Sequence, residues 1–65
     1  MKRLQQEREA RGWSKSELAR RARMANSTIG AIEAGRLIPY ESQLEKLSKA
    51  LDWTGAAKEL MHEVA

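Results

Sequence analysis

The chain has no cysteine and no phenylalanine, and only one proline, one histidine, one tyrosine and two tryptophans. Without cysteine there is no disulfide staple and no thiolate zinc site, so packing and hydrogen bonds must hold the fold. The lone histidine, His62, has no second histidine, cysteine or close carboxylate pair to work with. That leaves neither a metal-ligand set nor an acid–base couple, and argues against an enzyme and against a cofactor. No apolar run exceeds two residues, which excludes a membrane-spanning helix and a signal-peptide core. β-branched residues are limited to Thr28, Ile29, Ile32, Ile38, Thr54 and Val64, and nothing alternates with period two, so no strand is expected. At 65 residues the chain is one domain with a modest core. At 42% hydrophobic it is too apolar for a disordered tail.

What is present is charge, unevenly placed. Residues 1–36 hold nine bases and four acids, a net +5, whereas residues 37–65 hold three bases and five acids, a net −2. A basic half in a small domain points to a polyanion partner, most often nucleic acid. A solvated helix surface is the alternative, because Arg and Lys are also good helix formers.

Apolar spacing and punctuation predict five short helices. The first runs from about Lys2 to Arg11 and ends at Gly12, with Leu4 as its main apolar residue. Trp13 then enters the core. Ser14 and Glu17 make a capping box for the second helix, whose Leu18 and Ala22 share a face. After a break at Arg23–Met24, a third helix starts near Ala25–Thr28, turns Ile29 and Ile32 inward and ends at Gly35. Pro39 closes the following loop. A fourth helix covers about 41–51 with a stripe of Leu44, Leu47, Ala50 and Leu51. A fifth is expected over about 55–64, with Ala57, Leu60, Met61 and Val64 on one face.

The second and third helices, separated by a three- to four-residue break and approaching through small residues, form a helix-turn-helix pattern. The elements Ser14-Lys15-x-Glu17-Leu18-Ala19, then Ser27-Thr28-Ile29-x-x-Ile32-Glu33-x-Gly35, then Pro39 and the leucine-rich Leu44–Leu51, resemble the phage-repressor-like (Xre/Cro, lambda-repressor-like) family of DNA-binding domains. The resemblance covers about residues 4–53. It implies an all-α, compact five-helix lambda-repressor-like domain spanning residues 1–65, its helix-turn-helix formed by helices 2 and 3.

It also implies a function: sequence-specific binding of double-stranded DNA by a transcriptional regulator of the repressor or Cro type, cytoplasmic and encoded by a bacterium or phage. In that family the third helix enters the major groove with its first residues facing the bases. Those positions here are Asn26, Ser27 and Thr28, with Gly30 and Ala31 a turn later. Asn can bond an adenine edge at two points and Ser can serve any base. Asn26 and Ser27 also suit a helix cap, and the two roles are compatible. Lys15, at a helix start, and Arg36, after the Gly35 turn, are the phosphate contacts implied, with Ser14, Arg23, Tyr40 and Gln43 as further candidates. Glu33, adverse to the helix dipole where it stands, is expected to pair with Arg8, as relatives pair a Glu and an Arg at these positions.

The sequence departs from the family at several points. Arg23 occupies a turn position usually held by Gly, Glu7 stands in place of a first-helix Leu, and Tyr40 and Glu41 replace a small cap and a Leu. Palindromic operators imply a homodimer on DNA, for which Leu60, Met61 and Val64 are the candidate surface. Two other readings fit the size: the DNA-binding subunit of a toxin–antitoxin pair, and a protein-interaction adaptor whose basic face meets an acidic partner. Salt-dependent duplex binding separates the adaptor from the DNA-binding readings.

Overall fold

The computed structural model describes residues 1–64. Four α-helices follow one another: α1 (Arg3–Ala10), α2 (Lys15–Ala22), α3 (Asn26–Glu33) and α4 (Glu41–Ala50), then a 3₁₀ turn at Ala57–Met61. All four α-helices stop in the same way. Just past each helix an N–H reaches back five positions: Trp13 to Arg8 O, Met24 to Ala19 O, Arg36 to Ala31 O and Trp53 to Ser48 O, at 2.9–3.2 Å. This exit needs a left-handed residue at the turn. Gly12 and Gly35 take it without steric cost, whereas Arg23 (φ 57°) and Asp52 (φ 54°) adopt it against the preference of an L-residue. The expected helix breaks therefore fall where the sequence placed them, and Arg23 keeps the glycine-like backbone of its position.

The core is Leu4 from α1, Leu18, Ala19 and Ala22 from α2, Ile29 and Ile32 from α3, Leu47 and Leu51 at the end of α4, and Leu60 from the 3₁₀ turn. Trp13, Met24, Ala50, Trp53 and Met61 pack around it half-buried. Only Leu4 and Arg8 of α1 are buried, so one of that helix's two inward residues is a charge. A second polar tie fixes α1: Arg11, steered by Glu7 at 2.9 Å, donates to the Leu51 carbonyl at 2.6 Å. Glu7 thus does by charge what a leucine would do by packing.

Helix starts differ from expectation in two details. Ser14 Oγ accepts the Glu17 N–H at 3.0 Å, as an N-cap should. The Glu17 carboxylate, however, turns to Arg20 and Arg21, so the expected box is half formed. At α4, where no good cap was evident, the Gln43 side chain reaches back to accept the Tyr40 N–H at 2.8 Å.

The expected fifth helix over 55–64 is not formed. Its apolar stretch becomes the 3₁₀ turn, and the residues beyond it give their backbone groups to the opposite end of the chain. Arg3 N–H donates to His62 O at 2.7 Å and Val64 N–H to Met1 O at 2.8 Å, with Lys2 paired to Glu63 at 2.9 Å. The Val64 N–H spent on Met1 is the donor that a helix would direct to the Leu60 carbonyl, so the clasp and a last helical turn exclude each other. The candidate dimer surface changes accordingly. Leu60 is fully buried in its own core, and Met61 and Val64 are half-buried, so Leu60 has no face to offer a second copy. No helix among the described residues is long and apolar enough to cross a membrane.

Candidate nucleic-acid interface

The residues singled out in the sequence gather mainly at the starts of α2, α3 and α4. Asn26 and Ser27 form the first turn of α3 and are exposed. The cap position belongs to Ala25, whose methyl group cannot accept a hydrogen bond, so neither Asn26 nor Ser27 is consumed by capping. Thr28, Gly30 and Ala31 are half-buried along the same helix. Ile29 and Ile32, on the other side, anchor it in the core.

α2 crosses this helix end closely. Asn26 Nδ2 donates to Ser16 Oγ at 3.0 Å, tying the first turn of α3 to the first turn of α2. Lys15 lies against Gly30: a Cβ on Gly30 would stand 4.0 Å from both Lys15 Cδ and Nζ. One phosphate candidate and one base candidate therefore share a single small surface. Ser16 escaped the sequence reading, because its role depends on how two helices cross and not on any local pattern.

Arg8 and Glu33 come together behind this surface. Arg8 Nε and Nη2 donate to the two Glu33 carboxylate oxygens at 2.8 and 3.0 Å, and Nη1 donates to the Trp13 carbonyl at 2.8 Å. Both residues are buried, at 7% and 8% exposure. The Glu33 hydrogen bonds push the Arg8 guanidinium further above its ordinary pKa, so the charge persists at every working pH. The pair fixes the end of α3 to α1 and removes the one negative charge on α3 from the surface.

A second carboxylate near the surface is also committed. Arg20, then Arg21, hold the Glu17 carboxylate below the usual range, and Arg21 stacks 4.2 Å over the Trp13 ring. Lys15 and Arg36 form no ion pair among the described residues. The Arg36 N–H is used in the α3 exit, and its side chain is exposed. Tyr40 is 76% exposed, and the Gln43 carbonyl oxygen is spent on the α4 cap while its amide N–H groups stay free. Arg23 stands apart: it leaves the far end of α2, beside Lys46 and Lys49.

Chemically, the arrangement offers exposed amide and hydroxyl groups at a helix start, flanked by unpaired cations. That combination suits base edges between phosphates. Among the described residues no group of His, Asp and Glu is placed to hold a metal ion. A family model described as a helix-turn-helix domain matches residues 2–61. No curated protein and no solved structure matches the chain.

Proposed function

Because the chain belongs to this helix-turn-helix domain family, we propose that it is a sequence-specific double-stranded-DNA-binding regulator of transcription, of the repressor or Cro-like kind. The observation that carries the reading is the exposed, uncapped first turn of α3, Asn26–Ser27, standing beside Lys15 with its opposite side buried. α3 enters the major groove, where Asn26 and Ser27 meet base edges and Thr28, Gly30 and Ala31 lie against the groove. Lys15 and Arg36 take phosphates on either side, aided by Ser14, Tyr40 and Gln43.

Ser16 gives the reading a chemical direction. An amide that reads adenine must present its oxygen to N6 and one N–H to N7. With one Asn26 N–H given to Ser16, the remaining N–H and Oδ1 lie in a fixed amide plane. Selection of bound duplexes from a random library tests the proposal. Asn26→Ala should relax preference at one base position by about 1–3 kcal/mol. Lys15→Ala should weaken all sequences alike and reduce the salt slope by about one. Failure of the wild-type chain to bind any duplex at low salt would overturn it. Selected sites with two inverted half-sites roughly 34 Å apart would indicate a dimer on DNA.

A further inference from the structure

We propose that a second copy of this chain docks on the loop between α3 and α4, each copy laying its ridge of Leu37, Ile38 and Pro39 into the apolar groove beside the same ridge on the other. Three of the large apolar side chains left exposed, Leu37, Ile38 and Tyr40, fall in this one loop, and Ile38 is 88% exposed. A single exposed isoleucine is ordinary, but this one borders further uncovered apolar surface. On one side of the ridge Leu44, Ala56 and Ala57 surround a hollow of about 500 Å³ that Pro39 also lines. On the other side Ile32 and Met61 line a smaller hollow with Leu37, Ile38 and Pro39 in its wall. Pro39 locks its own φ and holds Ile38 extended, so the ridge loses little freedom when it is covered.

Three observations favour a second copy over another occupant. Ridge and groove are neighbours on one face, and a two-fold contact requires that: the same patch serves both partners, the ridge of each meeting the groove of the other. The charges fit as well. Glu41, Glu45 and Lys58 rim the groove and form no ion pair among the described residues. A two-fold axis lets Lys58 of each copy meet Glu41 or Glu45 of the other, whereas the two carboxylates would repel a phosphate backbone.

The third observation is size, and it rests on the DNA reading above. The molecule measures 24 by 23 by 23 Å, so two abutting copies stand closer together than half-sites roughly 34 Å apart. The starts of α3 make up the difference only if the contact lies away from them. The loop follows the opposite end of α3, about 12 Å from Asn26 by helical rise. The patch is small for a specific interface, so the dimer is weak in free solution and tightens when one duplex holds both copies.

Sedimentation, cross-linking and duplex binding test the assignment on the full chain. The wild type should dimerise with a dissociation constant of about 1 mM or tighter, and Ile38→Glu should stay monomeric at that concentration. Because the chain has no cysteine, an Ile38→Cys chain mixed with an Ala56→Cys chain can form a mixed disulfide only between those positions. In air that link should form about tenfold faster than one between Ile38→Cys and Lys49→Cys chains. On a duplex with two inverted half-sites Ile38→Glu should bind about tenfold more weakly than the wild type, yet match it within about twofold on a single half-site. Thermal melts of the variants establish that they fold. The assignment is overturned if the wild type is monomeric at millimolar concentration, which leaves the ridge to another partner, or if the two cross-links form equally fast. It is also overturned if Ile38→Glu loses single half-site binding as much as paired binding, which would make the loop a DNA contact. If no duplex binds at all, the DNA reading fails while sedimentation and cross-linking still decide this one.

Discussion

Glu33 and Glu17 are both held by arginine, and the two contacts do different work. Glu33 meets Arg8 in the interior, both oxygens engaged, with the third guanidinium nitrogen on the Trp13 carbonyl. Glu17 meets Arg20 and Arg21 on the surface of α2, where the arginine side chains stay 68% and 43% exposed. The chemistry is the same and the dielectric is not. Water solvates Glu17 and its partners almost as well without the contact, so that cluster contributes little. Neither Arg8 nor Glu33 has water to fall back on, so each is indispensable to the other although the pair as a unit need not be stabilising. The lesson is that burial, not the residue types, decides whether an ion pair is structural.

Breaking the interior pair should have the largest effect. Arg8→Ala strands Glu33 in the core and should cost about 3–5 kcal/mol, read as a lower urea midpoint and a loss of DNA binding through the displaced end of α3. Replacing both residues with apolar ones of similar volume should cost much less than the single change. A double-mutant cycle showing additive losses would contradict the contrast drawn above.

The half-buried Arg11 is the intermediate case. It donates to the Leu51 carbonyl at 2.6 Å with its side chain 28% exposed. Arg11→Ala should cost about 1.5–3 kcal/mol, the range for a charge-assisted hydrogen bond, again read by urea denaturation. A loss as large as that of Arg8→Ala would show that burial is not the deciding variable. Arg23→Gly should move stability the other way, by about 1 kcal/mol, which raises the melting temperature of a domain this size by about 4–8 °C. Relief of the left-handed strain is the cause, since no ion pair is lost.

The surface cluster gives the smallest effect and is best seen through pH. Arg20 and Arg21 lower the Glu17 pKa, and Lys2 lowers that of Glu63. A carboxylate whose pKa is depressed by folding stabilises above its unfolded value, about 4.3, and loses that contribution as pH falls through the folded value. The melting temperature should therefore drop on acidification below that range. Glu17→Gln and Glu63→Gln should each flatten the drop while changing the melt little at neutral pH, and added salt should shrink the difference.

Much of this was legible from the chain. The turns at Gly12, Gly35 and Arg23–Met24 and the inward residues Leu18, Ile29, Ile32 and Leu47 follow from punctuation and periodicity, which are local. The pairing of Arg8 with Glu33 was expected through family resemblance, since nothing local connects two residues 25 positions apart. The C-terminal helix was misread because its apolar spacing is helical while its backbone partners lie at Met1 and Arg3, on the other end of the chain. Ser16, Lys46 and Lys49 were not singled out for the same reason: their neighbours are set by how α2 crosses α3 and α4.

The helical class, the four exits and the basic bias of residues 1–36 are written in the amino-acid order alone, because apolar period, turn residues and net charge act within a few residues or as plain sums. Which arginine is buried, which end of α2 meets Asn26, and that the C-terminal segment clasps Met1–Arg3 came only with the folded arrangement. Those outcomes rest on desolvation and on competition for backbone hydrogen bonds between distant segments, and both are defined only once the chain has closed on itself.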